Sequence, residues 1–176
     1  MLLNVRKRHP ELLDSVVGTM VQFSKDNLVS VLQHTMRKVL PSPLEYMVAM
    51  NDFLQPLSES KQARDEIISG GLVEYWVELC IRNAENDGKH SPDERIASVT
   101  MLCDVWTLFP KVIEDRGDFV ENINAALKRG SRDKYKPMRL STIAQMFRLL
   151  DNFSTTKNPS APLLYKTLSH SLVENH

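Results

Sequence analysis

Apolar residues along this chain recur at spacings of three and four rather than two. Leu12, Leu13, Val16, Val17, Met20, Val21 and Phe23 form one stripe behind Pro10, and Leu28, Val31, Leu32, Met36, Val39 and Leu40 form a second behind Asp26 and Asn27. Such spacing places side chains on one helical face. Pro41 ends the second stripe, and Ser42-Pro43 opens a third with Leu44, Met47, Val48, Met50 and Phe53. A more polar helix is expected from about Ser60, with Ala63, Ile67 and Ile68 inward, broken at Gly70-Gly71. Leu72 to Ala84 is strongly apolar. After the loop Glu85–His90, Ser91-Pro92-Asp93-Glu94 combines a capping serine, proline at the first helical position and a glutamate placed to complete a capping box. That helix is expected to run to about Phe109, with a short turn from Pro110 to Ile113. Phe119, Val120, Ile123, Ala126 and Leu127 mark the next helix, expected to end at Gly130. Pro137 or Met138 opens a helix through Phe153, and Asn158-Pro159 opens the last, through Val173. No strand pattern of alternating residues between two-residue turns occurs. The pattern predicts an all-α fold of about nine or ten helices.

The later helices match one another. Shifting the chain by 44 positions sets Arg95 on Arg139, Ile96 on Leu140, Ser98 on Thr142, Val99 on Ile143, Leu102 on Met146, Val105 on Leu149, Trp106 on Leu150 and Phe109 on Phe153. A shift of 45 sets Phe119 on Leu164, Ile123 on Leu168 and Leu127 on Leu172. Two consecutive helices repeating at nearly one shift indicate a helical repeat rather than a chance match of amphipathic segments. The expected organisation is a single array over 1–176. It divides into an N-terminal helical pair (1–41), a unit at 42–90 and two repeats at 91–130 and 131–176.

The segment Asp65-Glu66-Ile67-Ile68-Ser69-Gly70-Gly71-Leu72-Val73-Glu74-Tyr75-Trp76-Val77-Glu78-Leu79 resembles the short helix, Gly-Gly break and long final helix of armadillo repeats. Ala97 to Trp106 resembles the long second helix of the next repeat. Trp76 and Trp106 stand where the family usually carries smaller or aliphatic side chains, and no ladder of groove asparagines accompanies Asn83 and Asn152. The resemblance implies a HEAT/armadillo-like right-handed α-solenoid. It also implies a eukaryotic scaffold for protein–protein contacts, cytoplasmic or cytoskeletal in setting, with the nucleus as the alternative. Related repeat arrays use loop edges to hold tubulin.

Composition sharpens this picture. The 176 residues are 42% hydrophobic and 25% charged, as in a soluble globular protein. The 22 basic and 22 acidic residues cancel, which removes bulk attraction to nucleic acid or membrane and leaves only local patches. The cancellation is uneven. From Glu59 to Glu94 nine acidic residues stand against four basic ones, whereas Lys128, Arg129, Arg132, Lys134, Lys136 and Arg139 place six cations in twelve residues, opposed only by Asp133. Two readings of that basic stretch stand: a solvated loop, or an anion-binding ridge for an acidic protein surface or nucleic-acid phosphates. Arg95 and Arg139, matched across the repeat, read as arginines that form salt bridges between repeats, or as a binding pair if exposed on the concave face. Arg6-Lys7-Arg8-His9 is a second, shorter basic cluster.

Candidate chemistry is sparse. His9, His34, His90, His170 and His176 include no pair at ligand spacing, and Cys80 and Cys103 form no C-x-x-C, so no metal site is expected. Nucleophile-elbow, phosphate-loop and zincin motifs are absent, and neither enzymatic activity nor a cofactor is expected. The two cysteines sit on apolar stripes and suggest a reducing compartment. No apolar run reaches the roughly 20 residues needed to span a bilayer. Leu163, Leu164, Leu168 and Leu172 have no following repeat to meet, so that end is expected to dock a partner or a further part of a longer protein.

Overall fold

The computed structural model describes residues 61–85 and 88–174, and among these the chain is helical between short turns, with no strand. Seven helices follow one another: α1 (Lys61–Ser69), α2 (Leu72–Asn83), α3 (Pro92–Leu108), α4 (Pro110–Glu114), α5 (Gly117–Gly130), α6 (Lys136–Thr156) and α7 (Ala161–Glu174). The helices expected within 10–23, 27–40 and 43–53, and the Arg6–His9 cluster, lie outside the described residues. The chain divides into two compact units, Met1–Leu72 and Val73–His176. In the first unit, α1 stops where the Gly70 N–H reaches the Glu66 carbonyl at 3.0 Å and Gly71 takes φ 68°. A side chain opposes that left-handed conformation, which explains a glycine there.

In the second unit the start of α3 forms as its residues dictate. The Ser91 hydroxyl accepts the Glu94 N–H at 3.2 Å, and the Glu94 carboxylate accepts the Ser91 N–H at 2.6 Å, with Pro92 at the first helical position. Both reciprocal bonds satisfy donors that the helix itself leaves without partners. Phe109 closes α3, its N–H donating to the Val105 carbonyl, and Pro110 begins the single turn of α4.

The order of packing follows the chain. α6 lies along α3 and α7 lies along α5. The remaining principal contacts join sequence neighbours or next neighbours: α3 with α4 and α5, α4 with α5, α5 with α6, and α6 with α7. Side-chain ties recur at the spacing of the sequence match. Arg129 stands 3.9 Å from Glu85, Arg148 pairs with Asp104, and the Asn158 amide donates to the Glu114 carboxylate, each joining residues 44 positions apart. The Thr167 hydroxyl bonds the Asn124 side chain at 2.8 Å, 43 positions away.

The apolar face of each helix supplies the core. Val99, Leu102, Val105, Trp106 and Phe109 from α3 and its cap are buried, as are Met146, Leu149 and Phe153 from α6. The Trp106 ring meets Phe153 edge-on, with centroids 5.1 Å apart and planes at 68°. That arrangement sets the positive edge of one ring against the negative face of the other. Ile123 and Leu127 of α5 and Leu164 and Leu168 of α7 are also buried. Cys80 and Cys103 are free, buried thiols; burial pushes Cys103 up to about 12 and Cys80 higher still. Both therefore stay protonated and unreactive at neutral pH.

α5 ends at Gly130, where the sequence places its end. It is the last residue of α5, buried, and without the positive φ of a glycine stop. A Cβ at this position would stand 2.6 Å from Thr142 Oγ1 and 3.1 Å from the Met138 methyl. Close approach of α5 to α6 requires the glycine here, and α5 continues into a right-handed cap at Ser131.

Candidate binding ridge

The basic stretch spans the end of α5, the turn that follows and the first turn of α6. Its frame is built from uncharged and paired groups. The Ser131 N–H donates to the Leu127 carbonyl at 2.9 Å, and its hydroxyl donates to the Lys128 carbonyl at 2.9 Å and lies 2.6 Å from the Ser171 hydroxyl of α7. The Arg132 and Asp133 N–H groups donate to the carbonyls of Arg129 and Gly130. These bonds close the α5 terminus into the turn.

Asp133 is turned inward. Its carboxylate pairs with the Arg95 guanidinium from the first turn of α3, and both side chains are buried. The same carboxylate accepts the Tyr135 N–H at 2.9 Å, which fixes the entry to α6. A buried ion pair of this kind is costly to form but far costlier to leave half-made. Arg95 Nε has no hydrogen-bond partner, so the pair carries the main satisfaction of that guanidinium.

Arg139 also serves the frame. Its Nη1 donates to the Asp133 carbonyl at 2.8 Å and the Lys134 carbonyl at 3.0 Å, and the residue is half-buried. The matched arginines Arg95 and Arg139 thus grip the two sides of one residue, the carboxylate and the carbonyl of Asp133. Arg95 makes an ion pair that ties one repeat to the next, whereas Arg139 braces the turn of its own repeat through backbone carbonyls. Asp133 was legible in the sequence only as a charge opposing the ridge.

The other five cations project outward. Lys128, Arg129, Arg132, Lys134 and Lys136 are exposed, with Tyr135 exposed among them. Arg129 faces Glu85 across 3.9 Å with both side chains about half exposed, a pair that water screens heavily. Withdrawal of Asp133 leaves the outer surface of this turn uniformly positive in formal charge. Lys128 and Arg129 also lie in the last turn of α5, where the partial negative charge of the helix terminus favours cations.

A second surface was less visible in the sequence. Leu140 and Phe147 on α6 are 57% and 53% exposed, and Tyr165, Leu172 and Val173 on α7 are exposed as well. The counterparts of the first four one repeat earlier, Ile96, Cys103, Val120 and Leu127, are half-buried or buried, whereas that of Val173 is the exposed Lys128. Helical spacing flags all of these as apolar, but only the stacking order shows which lack a neighbour. The expected open end at Leu163, Leu164, Leu168 and Leu172 divides in two: Leu164 and Leu168 are buried, and Leu163 and Leu172 are each 38% exposed.

Among the described residues no three His, Cys, Asp or Glu side chains group as metal ligands, and no helix is long and apolar enough to cross a membrane. Comparison of the chain with protein-family models, curated proteins and solved structures returns no match.

Proposed function

We propose that this chain is a HEAT/armadillo-like α-solenoid that acts as a non-enzymatic scaffold in the cytoplasm. Its basic turn would hold an acidic protein surface, such as that of tubulin. Lys128, Arg129, Arg132, Lys134 and Lys136 supply the charge in this reading, and Arg139 is a positioning residue that holds the turn's carbonyls. The observation that carries the reading is the separation of roles around Asp133: the one acid of the stretch is spent internally on Arg95, while five cations stay on the surface. Charge laid on a braced turn loses less side-chain and loop freedom on binding than charge on a slack one. The nearest-neighbour packing and the ties 44 positions apart fit an array in which each helical pair buries its face against the next.

Binding of the full chain to purified tubulin, followed by co-sedimentation from roughly 50 to 300 mM salt, tests the proposal. The wild type should bind with an affinity that falls as salt rises. A variant carrying Lys128→Glu, Arg132→Glu and Lys134→Glu should lose at least about tenfold. A duplex oligonucleotide run in parallel separates the rival target. A steep salt slope for the duplex, lost in the same variant, would assign the ridge to phosphates instead. Equal behaviour of wild type and variant toward both probes would remove the ridge as a binding site.

A further inference from the structure

The outward face of α6 carries a pattern that is symmetric in position and opposite in charge. Lys136, Leu140, Phe147 and Asp151 are all exposed, at successive spacings of four, seven and four residues. These spacings return to one side of a helix. Ile143 and Ala144 lie at the midpoint, half-buried and exposed respectively. The row stands opposite the buried face defined by Met138, Thr142, Met146, Leu149 and Phe153. It spans about 22 Å along the helix at 1.5 Å per residue.

The row also has the composition of a packing surface. Its counterparts on α3, shifted by 44 positions, are Ile96, Val99 and Cys103, of which Val99 and Cys103 are fully buried. α6 lies along α3, and Arg148, next to Phe147, pairs with Asp104, next to Cys103. In α6 the corresponding Leu140 and Phe147 are exposed over more than half their surface, and Ile143 is half-buried.

We propose that this face binds a second copy of the chain, with the two α6 helices antiparallel about a two-fold axis between Ile143 and Ala144. Reversing the helix superimposes the row on itself. Leu140 then meets the partner's Phe147, and Lys136 meets the partner's Asp151, twice over by symmetry. Interfaces about a two-fold axis require this kind of self-complementary patch. The apolar residues would supply the affinity, and the end charges would fix the antiparallel direction and the register. The two surfaces share Lys136, so they are tested separately by variants that spare it: Phe147→Glu touches no cation of the turn, and the Lys128→Glu, Arg132→Glu, Lys134→Glu variant touches no other residue of the row.

Sedimentation velocity of the full chain over a concentration series is the direct test. The wild type should move from monomer to dimer by about 100 µM, and Phe147→Glu should weaken association at least about tenfold while leaving the circular dichroism unchanged. The register is tested by charge exchange. Lys136→Glu alone and Asp151→Lys alone should each dimerise more weakly than the wild type, because each sets like charges opposite one another. Mixed together, the two variants should form a heterodimer close to wild-type affinity, since every pair in it is again opposite in charge. A wild type that stays monomeric to about 200 µM would overturn the proposal. So would a dimer indifferent to Phe147→Glu, or a mixture no more associated than its components.

Discussion

α3 and α6 carry matched sequences and live in different surroundings. Ser98 and Thr142, Leu102 and Met146, Val105 and Leu149, and Phe109 and Phe153 are buried in both copies. The row one step round the helix separates them. Cys103 is fully buried, and Phe147, its counterpart, is 53% exposed. Their first turns differ as well. α3 opens with a complete capping box, whereas α6 opens at Tyr135 with no side-chain cap and relies on the Arg139 guanidinium to hold the carbonyls of the preceding turn. The apolar pattern therefore fixes which face of a helix meets its own layer. What lies on the next layer decides the fate of the remaining apolar positions, and an identical periodicity is compatible with either outcome.

The largest effect should come from placing the same charge at the two matched positions. Cys103→Glu puts a carboxylate into a fully buried site whose nearby cation, Arg148, is already paired with Asp104, and a cost above about 5 kcal/mol would unfold a domain of ordinary stability. Phe147→Glu puts it at a surface, where a change within about 0.5 kcal/mol is expected. Urea denaturation at low protein concentration, where any dimer is dissociated, reads both values. Similar losses at the two positions would mean that α6 is covered much as α3 is, and the contrast would fail.

The matched arginines offer a finer version of the same comparison. Arg95→Ala strands the Asp133 carboxylate among buried groups, and removal of one member of a buried pair typically costs about 3–5 kcal/mol. Arg139→Ala removes two hydrogen bonds to carbonyls at a half-buried site, which water can partly replace, for a cost of about 1 kcal/mol. Asp133→Ala should resemble Arg95→Ala, and the double variant Arg95→Met with Asp133→Ala should recover part of the loss, because no unpaired charge remains. A strictly additive double variant would show that the two side chains do not act as a pair.

Much of this arrangement was legible from residue order. The helix boundaries around Gly70-Gly71, Ser91-Pro92 and Pro110 rest on local chemistry that needs no tertiary partner, and they fall where the sequence places them. The 44-residue match was legible too, and the ties Glu85–Arg129, Asp104–Arg148 and Glu114–Asn158 run at that interval. The end of α5 at Gly130 was legible, but its cause was not, because a glycine demanded by close approach looks the same in sequence as one demanded by φ; only the Thr142 hydroxyl opposite it separates the two cases. The six cations of the ridge were legible as a group, but not their division into five that project and one that braces the turn. Asp133 was hidden for a related reason. Its partner Arg95 lies 38 residues away, and no local signal distinguishes an acid that opposes a basic patch from one withdrawn beneath it.

The smallest effect probes the difference in how α3 and α6 begin. Ser91→Ala removes the acceptor of the Glu94 N–H and should cost about 1 kcal/mol. No residue of α6 offers an equivalent side-chain cap to lose; Tyr135, at the same place, makes no such bond. The Glu94 arm of the box adds a pH signature. Its carboxylate is held below the usual glutamate range, chiefly by the Ser91 N–H, with the Ser91 hydroxyl and His90 assisting and slight burial opposing. A folded-state value lower than the unfolded one means that the unfolded chain takes up the proton first as pH falls. The contribution is therefore fully present above the unfolded value, near 4.3, and is lost as pH drops through the folded value. Glu94 is partly exposed at the helix start, so solvent screening limits the contribution to a few tenths of a kcal/mol. Stability of the wild type minus that of Glu94→Gln, measured from pH 3 to pH 7, should be constant at the upper end and shrink below about pH 4. A difference that instead grew toward acid would mean that the protonated form is the one the cap prefers. The start of α3 would then owe its position to contacts other than the Glu94 arm of the box.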